Sequence, residues 1–206
     1  MQPGIGVNQS VWNRFPRRFA GVGKDWLIES GSEGSMRETA IDNLHPPVIV
    51  SACLAGVCCR YDGRDALSSQ VKERVEAGEC ISLCPEELGG LGTPRPRARI
   101  EAFEGSSVSL PQDIQAALCQ PIGVEGGGAV FQGKARVRTE EGVDVTDAFL
   151  SGAFEVAREA VRCGARSAIL KTRSPSCDSE IGVTAALLQG LGIQIFPVDR
   201  DREERG

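Results

Sequence analysis

Four short apolar runs, PVIVSAC (47–53), ECISLC (79–84), SAILK (167–171) and IQIFPV (193–198), are the feature that most restricts the fold. Each is a few residues long, rich in β-branched residues and bounded by loop formers, as expected of strands buried on both faces. Helical patterns lie between them: DALSSQVKERVEAG (65–78), DVTDAFLSGAFEVAREAVRCG (144–164) and GVTAALLQGLG (182–192). Thr146 or Asp144 is placed to cap the longest of these, and Gly164 to stop it. This alternation predicts an α/β, Rossmann-like, mainly parallel sheet with crossover helices. AVFQGKARVRTEEGVDVT (129–146) alternates in the manner of an inserted β-hairpin, with EEG as its turn.

The first three runs end at or near a cysteine: Cys53, Cys84 and Cys177. The carboxyl ends of parallel strands line the ligand crevice of an open α/β sheet, so these three residues are expected to converge there. Each also has loop formers and polar groups beside it: Ser51 and Gly56, Pro85 and Glu86, Pro175 and Ser176. Cys80, Cys119 and Cys163 lack that company and read as small apolar side chains. The vicinal pair Cys58 and Cys59 could serve as a redox pair or a fourth ligand, but adjacent cysteines point in different directions and lack the spacing of metal or thiol-redox motifs, so the pair is left outside the site.

Composition limits the chemistry. The single histidine, His45, precedes the first strand, which argues against a histidine-based hydrolase triad and against an imidazole-rich zinc site. Eight cysteines without an export signal or a membrane-spanning apolar stretch are expected to be reduced thiols in a cytoplasmic protein. Three thiolates suit a soft metal centre, either an iron-sulfur cluster with one open iron or a three-cysteine zinc site. The net charge of −5, with both signs interspersed, argues against generic binding along a phosphate backbone. The glycine-rich GVEGGGAV (123–130) neither follows an expected strand nor opens an expected helix, so no nicotinamide or flavin is predicted from it.

Residues 1–45 show no sustained periodicity and read as a weakly ordered extension. Residues 46–198 read as a single α/β domain, and 199–206 as a charged tail.

Five strings occur in order: VSACLAGVCCRYDG, LCPEELGGLGTPRPRA, FQGKARVRTEEGVDVTDAFLSGA, AILKTRSPSC and GVTAALL. Together they resemble the family known as domain of unknown function 523, whose characterised members are thiouracil desulfurases, or desulfidases. The resemblance covers residues 47–198. It implies a 4Fe-4S cluster held by Cys53, Cys84 and Cys177 with one open iron. The implied reaction removes sulfur from a thiolated pyrimidine such as 2-thiouracil by hydrolysis without net redox change.

Glu86, Ser174 and Ser176 become the implied catalytic residues, and Arg60, Tyr61, Asp62, Lys171 and Arg173 the residues near the substrate. A small molecule is favoured over a thiolated tRNA, and no membrane partner is expected. Oligomeric state is left open. The alternative function is a non-catalytic iron-sulfur or metal carrier. Two departures from the family pattern stand out. Only DSEI separates SPSC from GVTAALL, and extra residues lie between PRPRARI and FQGKARV, where Arg99 replaces an expected acidic residue.

Overall fold

The structure, a computed structural model, describes residue 41 and residues 44–199. The expected extension 1–45 and the tail 199–206 therefore fall almost wholly outside the described residues. Among those described, no helix is long and apolar enough to cross a membrane.

Strand β1 (Val48–Ser51) is buried along its whole length. It pairs in parallel with β2 (Cys80–Leu83), Val48 facing Cys80 and Ser51 facing Leu83. On its other side it pairs in parallel with the strand Ser167–Lys171, Val48 opposite Ser167. That strand pairs in turn with Gln194–Val198, again in parallel.

Between β2 and Ser167 come helices α2 (Pro85–Leu88), α3 (Gln112–Ala117), α4 (Gly127–Phe131) and α5 (Thr146–Cys163), after α1 (Ser69–Glu76). Strands β3 (Ala98–Ala102) and β4 (Ala135–Thr139) lie in the same interval. The strands Ser167–Lys171 and Gln194–Val198 are thus β5 and β6, joined through α6 (Val183–Gly190), and the sheet order is β2-β1-β5-β6. The chain leaves β1 toward one edge, through β2, and returns to the other, through β5. The order reverses between β1 and β5, where an open parallel sheet forms its crevice.

Alternate side chains of β1 serve two cores. Val48 and Val50 pack with Ile169 and with Val71 of α1 on one face. Ile49 packs on the opposite face with Ala168, Leu170 and the apolar stripe of α5 and α6. That stripe on α5 runs Phe149, Ala153, Val156, Ala157 and Ala160, the spacing of one helical face. As expected, Gly164 ends α5 in a left-handed conformation, φ 73°. Val145 occupies the N-cap position, while Asp144 accepts the Thr146 N–H at 3.0 Å. The Thr146 hydroxyl accepts the Val137 N–H at 2.9 Å, which ties α5 to β4.

Gly152 of α5 lets α2 approach at backbone distance. A Cβ there would lie 1.8 Å from the Pro85 carbonyl oxygen, and one on Gly89 would lie 2.0 Å from that of Ala148. The helix that begins beside Cys84 is therefore seated directly on α5, the longest of the described helices.

The expected hairpin is corrected in two respects. Ala129–Phe131 is helical, within α4. The partner of β4 is β3, antiparallel, with Ala98 opposite Thr139 and Ala102 opposite Ala135. The EEG turn does form, closed by Gly142 N–H to Thr139 O at 2.9 Å, but beyond it stands a single bridge, Arg138 to Asp144. GVEGGGAV likewise opens a helix, α4, although no strand leads into it. The inserted residues before FQGKARV include α3, whose Ile114 enters the main core.

Candidate functional site

Cys53 lies two residues beyond β1, in a 3₁₀ turn over Ala52–Ala55. Gly56, at φ 87°, ends that turn by donating to the Ala52 and Cys53 carbonyls, and the Cys53 carbonyl also accepts the Ala66 N–H at 2.9 Å. Cys84 follows β2 directly and occupies the N-cap position of α2, whose first residue is Pro85. Cys177 sits in the loop after β5. The Ser174 hydroxyl accepts the Ser176 and Cys177 N–H groups there, both at 3.3 Å. The Asp178 carboxylate accepts those of Arg173, Glu180 and Ile181. A loop shortened to DSEI is thus still fully organised.

All three cysteines are buried and stand beyond the carboxyl ends of the three adjacent strands β2, β1 and β5. The Cys177 thiol lies within the electrostatic range of Cys53, Cys84 and Glu86, and it hydrogen-bonds Ser51. The Ser51 hydroxyl also accepts the Lys171 N–H at 3.0 Å, linking the ends of β1 and β5.

A fourth thiol that the sequence reading left out belongs to this group. Cys59 is 2% exposed and within hydrogen-bonding reach of both Cys53 and Cys84, while its neighbour Cys58 points to solvent. Cys59 and Cys84 together with the Glu87 carboxylate bring three potential ligand atoms within 4.8 Å of one another. The only cue in the sequence was adjacency to Cys58. The Cys59 N–H closes a tight turn onto the Val57 carbonyl at 2.8 Å, and across it one vicinal thiol is exposed and the other buried.

Electrostatics follow from this crowding. Its hydrogen bond with Cys59 holds the Cys53 thiol below its ordinary range; burial opposes this, and Lys171 and Arg60 assist. The same contacts with Cys53 and Cys84, reinforced by burial, push Cys59 up. Burial pushes Cys177 up, against its bond to Ser51. Buried thiolates in such proximity repel each other unless a cation offsets their charge, and sulfur donors select soft metals and iron-sulfur clusters. The donor set therefore fits an iron-sulfur group. His45, the only histidine, is exposed ahead of β1.

Glu86 lies on α2 and pairs with Arg95, Nε to Oε2 at 2.7 Å, both side chains largely buried. The same guanidinium donates to the Cys59 carbonyl at 2.9 Å, the Thr93 hydroxyl at 2.9 Å and the Gly92 carbonyl at 3.1 Å. Arg95 stood unremarked within PRPRA; a planar fork of five donors satisfied on several sides is a tertiary property. Glu86 and Arg95 also line a cavity of about 220 Å³ with Leu91, Pro96, Ala98 and Val145. Glu86 thus lines this mostly apolar space, and its charge also reaches the Cys177 thiol.

The remaining candidates are placed as follows. Ser176 is fully buried and its hydroxyl lies 3.0 Å from that of Thr184, so it fastens the Cys177 loop to α6. Arg60 pairs with Asp62 at 3.1 Å, and Tyr61 is flanked by the guanidinium groups of Arg60 and Arg97. Lys171 bonds Asp199 at 2.8 Å and the Thr172 carbonyl at 2.9 Å. Arg173, with φ 57°, also pairs with Asp199. Of these, Lys171 and Arg60 reach Cys53 electrostatically.

A mainly parallel α/β sheet whose reversal point is furnished with buried thiols defines a thiol-centred α/β protein. Residues 48–197 match the 2-thiouracil desulfurase family, and the chain belongs to that family. It is similar to the uncharacterized protein YbbK of Bacillus subtilis (strain 168), with 32% identity over 163 residues, 72% of this chain and 93% of the relative. A solved structure, the [4Fe-4S]-dependent thiouracil desulfidase TudS, is 32% identical and superposes with a TM-score of 0.54 over 74% of this chain and 90% of that one.

Proposed function

We propose that this protein is a [4Fe-4S]-dependent desulfidase that replaces the thiocarbonyl sulfur of a thiolated pyrimidine with oxygen from water. Cys53, Cys84 and Cys177 hold the cluster. What chiefly supports this reading is that the three cysteines stand at the carboxyl ends of β1, β2 and β5, at the sheet reversal, in a member of the 2-thiouracil desulfurase family. The chemistry such a cluster supplies is Lewis-acid activation of a soft sulfur donor.

The chain's own residues supply the rest. Glu86 takes the proton of the attacking water at its carboxylate, held in register by Arg95. Water adds to the thiocarbonyl carbon, the carbon-sulfur bond breaks, and the sulfur departs as sulfide with the protons of that water. No side-chain nucleophile is needed. Ser174 orients the substrate beside Cys177, and Ser176, bonded to Thr184, keeps that loop in place. A small substrate is favoured over thiolated tRNA by the net charge of −5 and the interspersed charges, which offer no basic stripe to a nucleic acid. Lys171 and Arg60, which reach Cys53 electrostatically, would face the substrate, with Tyr61, Asp62 and Arg173 beside them in the chain.

The test is anaerobic purification or reconstitution with iron and sulfide analysis, followed by incubation with 2-thiouracil. About four irons and four sulfides per chain are expected, with uracil and sulfide released in equal amounts. A protein that carries only zinc after reconstitution, or a full cluster without sulfide release, overturns the assignment.

A further inference from the structure

The family resemblance implies three cysteine ligands, yet the structure gathers four thiols. Cys59 lies between Cys53 and Cys84 and is as deeply buried as the strand residues beside it, at 2% exposure. Its backbone is restrained on both sides. The Cys59 N–H bonds the Val57 carbonyl at 2.8 Å, and the Cys59 carbonyl accepts both the Arg95 guanidinium at 2.9 Å and the Cys84 thiol at 3.7 Å. These bonds fix the backbone from which the thiol projects into the buried group. Nor is an apolar packing role sufficient, because the thiol's nearest polar neighbours are two cysteine sulfurs and the Glu87 carboxylate.

We propose that Cys59 is a fourth, displaceable thiolate ligand of the metal centre held by Cys53, Cys84 and Cys177. With a metal centre bound, Cys59 would close the position that the other three cysteines leave, and a substrate's soft sulfur would displace it: one sulfur-metal bond would break as another formed, with no electrons transferred. The placement of Cys59 supports this, since its sulfur, that of Cys84 and a Glu87 carboxylate oxygen lie within 4.8 Å of one another. The inference rests on the proposed cluster, but it concerns how many protein sulfurs the cluster has.

The experiment compares anaerobically reconstituted wild-type protein with Cys59→Ala and Cys59→Ser, following iron loss to a chelator by absorbance and conversion to a three-iron cluster by electron paramagnetic resonance. Both variants should load four irons, yet lose the fourth at least about tenfold faster than wild type, the scale of loss on removing a group that supports a metal. They should also bind added sulfide more tightly, since no thiolate has to leave. Iron loss and sulfide affinity equal to wild type in Cys59→Ala would overturn the fourth-ligand assignment while leaving the cluster intact. Wild-type protein that never holds four irons defeats the cluster reading itself, and this inference with it. Cys59→Ser guards against a packing defect, because it preserves the side-chain volume while replacing the soft donor.

Discussion

Replacing Gly152 with alanine sets two opposing effects against each other at a position that carries no site side chain of its own. Helix propensity alone favours the change, since alanine in a helix interior is about 0.8–1 kcal/mol better than glycine. The packing opposes it. The new methyl carbon would lie 1.8 Å from the Pro85 carbonyl oxygen and 3.1 Å from the Gly89 nitrogen, both backbone atoms with no rotamer to yield. Relief requires α2 and α5 to separate by roughly 1.5 Å to restore ordinary contact distance. Overpacking of this kind costs about 1–3 kcal/mol, and a 1.8 Å approach to backbone belongs at the upper part of that range, about 2–3 kcal/mol, so a net destabilisation of about 1–2 kcal/mol is expected once the propensity gain is subtracted.

The displaced helix carries Glu86 and begins beside Cys84, so the site should move with it. A misplacement near 1 Å lowers turnover by up to about a hundredfold. Urea denaturation of the metal-free protein reads the stability, while iron retention and sulfide release read the site. If Gly152→Ala proves as stable as wild type or more so, with unchanged iron retention and turnover, the close seating of α2 on α5 does not position the site.

Other expectations follow from the same geometry. Single replacement of Cys53, Cys84 or Cys177 by alanine should abolish or severely weaken iron binding, whereas alanine at Cys80, Cys119 or Cys163 should leave the iron content unchanged in elemental analysis. Glu86→Gln should keep its iron and lose about 10²–10⁴-fold in sulfide release; unaltered release would remove Glu86 as the base. Arg95→Lys, which keeps one charge but not the planar fork, should lower kcat more than KM, because the carboxylate it orients acts in the transition state.

The Cys80 thiol is pushed up to about 11 by burial, from an ordinary value of 9.0. Its folded-state pKa thus exceeds the unfolded one, and the stability it contributes is full below pH 9 and lost as the pH rises toward 11. Cys80→Ala should flatten the alkaline fall in urea midpoint across that window.

The parallel strands were legible in the sequence because a strand buried on both faces must be apolar throughout and must stop where the chain meets solvent. Val48–Ser51 and Ser167–Lys171 each satisfy that local condition. Once those strands were parallel, Cys53, Cys84 and Cys177 had to emerge along one edge, so their common placement was readable from order alone. The pairing of Ala98–Ala102 with Ala135–Thr139 was not readable, because the EEG turn offered β4 a closer partner and only packing against α5 decided between them.

The inward turn of Cys59, the Glu86–Arg95 pair and the contact of Gly152 with Pro85 are also tertiary. Each joins segments whose local patterns do not specify one another. A side chain's direction and its partners depend on where the other backbone segments lie, whereas apolar periodicity depends only on the residue's own strand or helix.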